Sequence, residues 1–313
     1  KSLYKSGEHF LEGIEEIDIS TIVNVAHDLR LKEYRYWSPA YNPDSSMTME
    51  AAIEGSRHHL IESMRLRLRS DVPLAFCLSG GVDSASLVSI AAKVFNAKVN
   101  TFSIIDRDHR YDEFENIQAT VNDTGCSSTK IILEPGDSNI ARLEELIRYH
   151  DAPVATISYF VHSMLSESIS GSGYKISISG TGADEMFTGY YDHFIMHLFE
   201  MRDTTDLPRL KKEWETHVLQ YVRHPDFRKW DYFIEDHRRR SHIYFNNDEF
   251  RKLLKVEFAE EFTEVKYSQS LLRNRMMNEM FAEVVRVILH EDDLNSMKYS
   301  IENRSPFLDK NLF

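Results

Sequence analysis

Between Ala75 and Ser84 the chain reads Ala-Phe-Cys-Leu-Ser-Gly-Gly-Val-Asp-Ser, an apolar run that ends in a hydroxyl, two glycines, an acid and a second hydroxyl. That pattern suits the binding of a polyphosphate. Gly80 and Gly81 let the backbone turn tightly enough for its amides to converge on an anion, and a helix expected over 83–95 adds its dipole and unpaired donors. Leu78, Ser79, Gly80, Gly81, Val82, Asp83 and Ser84 are therefore the first candidate binding segment. Asp83 is a poor direct ligand for phosphate but a good one for a magnesium ion carried by phosphates. The segment lacks the Gly-Lys-Ser or Gly-Lys-Thr ending of a kinase-type phosphate loop.

A second segment repeats this logic. The apolar stretch Tyr174–Ile178 leads into Ser179, Gly180, Thr181, Gly182 and Ala183, then the acidic pair Asp184-Glu185. Open parallel sheets gather ligands at the carboxyl ends of their strands, so the two segments belong together. Asp184 then shares a metal-bound pyrophosphate with Asp83, and Glu185 either assists or caps the next helix. A third segment, Asp293–Asp309, reads as a helix that stops before Pro306 and presents Glu302 and Arg304 side by side. On residue type alone, those two form either a surface ion pair or part of a site wall.

The string Ser79-Gly80-Gly81-Val82-Asp83-Ser84 resembles the pyrophosphate loop of the ATP pyrophosphatase (PP-loop) superfamily. Ser179–Tyr190 and the run Ser296-Met297 … Glu302-Asn303-Arg304-Ser305-Pro306-Phe307-Leu308-Asp309 narrow the resemblance to the synthetase domain of glutamine-hydrolysing asparagine synthetases. Further matches in the same order are Arg67–Pro73, Thr101–Ile104 and Tyr111-Asp112-Glu113, so the resemblance covers about residues 45–205 and 285–313. It implies an adenine nucleotide alpha hydrolase-like α/β fold. It also implies ATP bound with adenine and ribose near Leu78, Ser103 and Ile104, Mg2+ held by Asp83 and Asp184, and Glu302 and Arg304 in the active site. The implied reaction is carboxylate attack on the alpha phosphate to give an acyl-adenylate, followed by ammonia displacing AMP. Ammonia would come from a glutaminase domain or subunit, and a homodimer is among the implied assemblies.

The chain departs from that family where the acceptor is handled. Thr181 stands where asparagine synthetases carry glutamate, Leu294 stands where a basic residue is usual, and the family's adenylation lysine would lie beyond Phe313. Activation therefore carries over better than acceptor identity. An amide or lactam ligase acting on another carboxylate, such as a sugar acid or peptide, stays open, as does a non-catalytic scaffold on the same fold.

Strands expected at 74–78, 98–104, 128–133 and 174–179 alternate with helices at 48–69, 83–95, 113–124, 139–149 and 159–170. That alternation specifies a parallel sheet with helices on both faces. Beyond Tyr190 the pattern is helical, at 209–223, 227–238, 248–254 and 268–289, with no strand expected, as a layer closing a cleft over the sheet. Trp214, Trp230, Tyr221, Phe227, Tyr232 and Phe233 read as its core. Residues 1–47 have the short alternation of hairpin strands before a Pro/Asn/Asp/Ser linker. By the resemblance they are the tail of a glutaminase-like domain, with 48–313 the synthetase domain, and the chain is expected to be a piece of a longer or split enzyme.

With 313 residues and 42% hydrophobic content the chain can bury a substantial core, and its formal net charge of −13 argues against a nucleic-acid partner. Arg65, Arg67 and Arg69 read as the wet face of an amphipathic helix with Ile61, Met64 and Leu68 inward, and Arg238–Arg240 as a wet helix end. Cys77 and Cys126 make no disulfide framework, and Cys77 reads as a small buried hydrophobe. The histidines lack zinc-site spacing. No signal peptide or membrane-length apolar run is present, so no membrane partner and a cytoplasmic location are expected.

Overall fold

The computed structural model describes residues 10–106, 113–133, 138–240, 252–255 and 263–313. Tyr111, Asp112 and most of the expected helix at 248–254 lie outside them. In chain order come the strands β1 (Thr21–Val25) and β2 (Leu31–Arg35), helix α1 (Met49–Arg67), β3 (Leu74–Cys77), α2 (Val82–Ser89), β4 (Asn100–Ile105), α3 (Phe114–Thr124) and β5 (Ser127–Ile132). Then follow α4 (Ser138–His150), α5 (Ile157–Gly171), β6 (Ile176–Ile178), α6 (Ala183–Phe187), α7 (Tyr191–Glu200), α8 (Leu207–His217), α9 (Leu271–Phe281), α10 (Val284–Lys298) and β7 (Glu302–Arg304).

The chain forms two compact units. One unites Leu3–Asn42 with Phe187–Val284, the other Pro43–Met186 with Val285–Phe313. The second holds a five-stranded sheet in the order β5-β4-β3-β6-β7, parallel at every pairing. Alternation along β3 sends Phe76 and, just beyond it, Leu78 to one face, where they pack with Met64 of α1, Leu87 of α2 and Ile117 of α3. Ala75 and Cys77 face the other way, toward Phe102, Ile169 of α5 and Ile301. Helices therefore cover both faces, as a parallel sheet of apolar strands requires.

The chain builds β3, β4 and β5 outward in one direction and returns to lay β6 on the opposite side of β3. The strand order thus reverses between β3 and β6. That reversal point is where open α/β sheets leave a crevice beyond their strand ends.

Several elements differ from expectation. The third segment is not a continuous helix up to Pro306: α10 stops at Lys298, Ser300 takes φ +57°, and Glu302–Arg304 pairs with β6 as a fifth strand. Three polar residues carry no strand signal of their own, and this strand exists by backbone pairing at a sheet edge. The expected helix at 268–289 is two helices, α9 and α10. Residues 227–238 are not helical; after a 3-10 turn at Pro225–Arg228 the chain closes successive turns, including Tyr232 N–H to Lys229 O and Ile234 N–H to Asp231 O. The expected helix at 209–223 ends at His217 and is followed by a short 3-10 segment at Leu219–Tyr221.

In the other unit β1 and β2 form the expected antiparallel hairpin. Ile195, Met196 and Leu198 of α7 pack with Trp214, Tyr232, Phe233, Leu272 and Met276, with Phe227 and Trp230 alongside, while Tyr221 stays 62% exposed and outside this core. Two of the arginines expected to be wet are engaged in the interior. Arg67 reaches Asp309 at 2.8 Å and the Ser63 hydroxyl at 2.9 Å, and Arg240, 7% exposed, makes a two-pronged pair with Glu264. None of the described helices is long and apolar enough to cross a membrane.

Candidate active site

The first loop is tied by its own hydroxyls. Ser84 Oγ receives the Ser79 amide at 3.2 Å and donates to Gly81 O at 3.1 Å, and Ser79 Oγ receives the Gly81 amide at 3.2 Å. Leu78 N–H donates to Phe102 O, anchoring the loop to β4. Gly80 adopts φ +93°, and a Cβ there would lie 2.8 Å from that of Glu113. The position therefore demands glycine on both backbone and packing grounds.

The amides of Gly80, Val82 and Asp83 find no acceptor among the described residues, and Gly81 caps α2 without a side-chain bond. Three open donors at a helix start are an anion-binding nest. The Asp83 carboxylate is half-buried, has no described partner, and burial raises its pKa. A desolvated carboxylate with nothing to pair with suits an incoming cation.

The second loop lies directly against the first. A Cβ on Gly180 would come within 3.2 Å of Asp83 Cβ and of the Ser84 amide nitrogen. Ser179 donates its amide to Arg304 O, and its hydroxyl lies 3.1 Å from that of Thr181. Gly182 adopts φ +95° where any side chain would strike Leu308. Asp184 and Glu185 occupy the first turn of α6, the former half-buried and the latter 3% exposed. The structure thus joins Ser79–Ser84 with Ser179–Thr181 at the switch point. Ser103, on neighbouring β4, is 1% exposed with its hydroxyl unpartnered, and Ile104 follows it on the same strand.

Glu302 and Arg304 have partners of another kind. Arg304 Nε donates to Glu302 at 2.7 Å, while its Nη1 donates to Arg67 O at 2.6 Å and Arg69 O at 3.0 Å. Those carbonyls end α1, so the arginine closes a helix terminus against the sheet edge. The two side chains thus form an ion pair at the sheet edge, while the backbone oxygen of Arg304 receives the Ser179 amide of the second loop.

Cys77, expected to be a small buried hydrophobe, is only partly buried; desolvation, with the Asp292 carboxylate adding to it, pushes its pKa up to about 12. The Asp292 carboxylate on α10 that acts on Cys77 also lies 3.0 Å, through Oδ1, from Nδ1 of His162 on α5; neither residue was anticipated from sequence.

The family model for asparagine synthase matches residues 55–313. The chain belongs to the asparagine synthase family. Among its relatives are the amidase chyE of Penicillium rubens, 27% identical over 179 residues, and the amidase chry2 of Gibberella zeae, 27% identical over 199. The asparagine synthetase (glutamine-hydrolyzing) 1 of Bacillus subtilis is 29% identical over 142 residues. These alignments cover 51%, 58% and 44% of this chain but 26%, 29% and 21% of those proteins. The asparagine synthase match takes in both glycine loops and β7 and begins within α1, leaving the hairpin outside it.

Proposed function

We propose that this chain activates a carboxylate with ATP, releasing pyrophosphate, and transfers the acyl group from its adenylate to ammonia, giving an amide and AMP. The observation that carries this reading is the open amide nest of Gly80, Val82 and Asp83, with Asp83, whose carboxylate has no partner among the described residues, packed through its Cβ against Gly180 at the sheet's switch point. The nest would hold the beta and gamma phosphates, with adenine and ribose over the strand ends near Leu78, Ser103 and Ile104. Asp83 and Asp184 would hold a magnesium ion, which when bound neutralises charge on the departing pyrophosphate. Among the described residues no group of three or more His, Cys, Asp or Glu side chains gathers to hold a metal ion alone, which accords with a cation that arrives with the nucleotide.

The acceptor we propose is a carboxylate other than aspartate. Thr181 engages Ser179 through a neutral hydroxyl pair, so no charge is supplied there, and two relatives are named amidases. Ammonia would be supplied by a glutaminase domain or subunit, in the cytoplasm, from a protein that could act as a homodimer.

The test is carboxylate-dependent exchange of labelled pyrophosphate into ATP with magnesium, run with L-aspartate, D-glucuronate, D-galacturonate and the amino acids. Exchange with a non-aspartate acid is the expected result. Asp83→Asn should reduce exchange by about 100-fold or more, with the far-UV spectrum and unfolding midpoint kept, because Asp83 has no described partner to lose. Full exchange in that variant would refute the loop assignment.

A further inference from the structure

His162 and Asp292 form a dyad that no part of the proposed activation chemistry uses. His162 lies in the second turn of α5, the crossover helix that leads into β6. Crossover helices run antiparallel to their strands, so the start of α5 lies toward the carboxyl ends from which both glycine loops emerge. Asp292 lies on α10, which is pinned to the α5 region by Asn295 Nδ2 donating to Tyr159 O at 2.8 Å and by the Ala155 amide donating to Glu291. Ile169 of α5 packs on the Cys77 face of β3, and the Asp292 carboxylate acts electrostatically on Cys77.

The imidazole Nδ1 lies 3.0 Å from Asp292 Oδ1, and that carboxylate side chain is only 11% exposed. The histidine side chain is 44% exposed, and its Nε2 has no described partner. A carboxylate that fixes Nδ1 as the protonated nitrogen leaves Nε2 as an acceptor facing outward, the arrangement of an oriented general base. Among the described residues His162 meets Asp292 from α10 and Tyr159 of its own helix, whose ring centroid lies 5.9 Å away, while the Cys77 thiol of β3 feels the charge of Asp292. Burial opposes charge on the imidazole, but the bond to Asp292 and the attraction of that carboxylate outweigh it, so the pKa of His162 is raised.

We propose that His162, oriented by Asp292, is the general base of the amide-forming half-reaction. This rests on the amide synthetase reading above. Neutral ammonia attacks the acyl carbon of the adenylate and its nitrogen becomes cationic. His162 Nε2 takes one proton from that nitrogen as the carbon–oxygen bond to AMP breaks. The amide and AMP leave, and the imidazolium passes the proton to solvent. In this chain a histidine dyad supplies the proton acceptor that uncharged Thr181 cannot. Asp292 is a positioning residue, and His162 the catalytic one.

The full chain, His162→Gln and Asp292→Asn are compared in two assays with ammonium chloride as amine and the acids of the panel above as acceptors. Pyrophosphate exchange reads activation, and amide production reads the whole reaction. His162→Gln should keep exchange within a few-fold and lose amide formation by about 100-fold or more. In the full chain the amide-forming rate, taken per concentration of neutral ammonia at each pH, should rise with pH as His162 deprotonates. That rise should vanish in His162→Gln and move to lower pH in Asp292→Asn, where the attraction that raises the pKa is gone. A structural role would not move a pH profile in this pattern. Unchanged amide formation in His162→Gln, or equal losses in both assays, would overturn the assignment. Absence of exchange in the unmutated chain with every acid would instead remove the synthetase reading, and this proposal with it.

Discussion

Gly80 sits at φ +93° with Glu113 behind it, so two independent costs meet at one residue. A left-handed backbone costs an L residue about 1–2 kcal/mol, and overfilling a packed position adds about 1–3 kcal/mol. Gly80→Ala should therefore destabilise the protein by about 2–5 kcal/mol and, under the proposed function, weaken nucleotide binding as the amide nest is displaced. Denaturant unfolding and calorimetric titration with a non-hydrolysable ATP analogue would measure both; a variant as stable and as tight-binding as the parent would show that the loop tolerates a side chain. Glycines, hydroxyls and an acid in one string are legible because each residue type has a narrow set of uses. His162 and Asp292 were not legible in the same way. They lie 130 positions apart, and a lone histidine on an apolar helix carries no local sign of the carboxylate that will meet it.

At the scale of elements, strands β3 to β6 and helices α1 to α5 could be read from the alternation of apolar runs with amphipathic ones, to within one or two residues, except that the helix expected up to Phe95 leaves α geometry after Ser89 and continues as a π-helical turn over Ile90–Val94. The edge strand β7 could not, since Glu302, Asn303 and Arg304 are polar and their pairing is owed to β6, some 126 residues earlier. Its side chains give this edge its hold. Arg304, with 18% of its side chain exposed, binds the last carbonyls of α1, and Arg67 from the same turn reaches Asp309. Hydrogen bonds to a charged group contribute about 1.5–3 kcal/mol each. Arg304→Met, which removes two such bonds, should thus lower stability by about 3–6 kcal/mol, whereas Glu302→Gln, removing an acid that is 60% exposed, should cost under about 1 kcal/mol. Urea unfolding distinguishes the two variants. If Arg304→Met instead kept its stability and lost pyrophosphate exchange, the arginine would belong to the active site after all.

The two units of the molecule are held together internally by different physics. In the sheet unit the core is apolar, built on Phe76, Leu78, Leu87, Val88, Ile117 and Ile178. In the other unit the interior carries Arg275, fully buried, bonded to Glu279 at 3.1 Å, Glu264 at 3.1 Å and Glu283 at 2.5 Å; Glu279 also meets buried His193 at 2.7 Å, and Glu264 meets Arg240. The discontinuous pairing of residues before 42 with those after 187 was not legible in the sequence, nor was this network. Charged residues at helical spacing read as a solvated face until the partners that bury them are known. Removing one member of a buried charge cluster leaves the others unpaired and desolvated, at a cost of about 3–5 kcal/mol. Arg275→Met should therefore destabilise its own unit by that amount. Amide hydrogen exchange should quicken in peptides covering Ile195–Leu198 and Leu272–Met280 while those covering Phe76–Leu78 change far less. The pH response supplies a second reading. Burial works to raise the Glu264 pKa, but the Arg240 bond and the attraction of both arginines overcome it, and the net shift is downward from its ordinary 4.5. A carboxylate whose pKa falls on folding contributes stability above that ordinary value and loses it as pH drops through the folded one. The parent protein should accordingly lose stability in acid below about pH 4.5, and Arg275→Met should lose less over the same window, having already given up part of that attraction. Equal acid losses in the two proteins would mean that Arg240 alone holds Glu264 low.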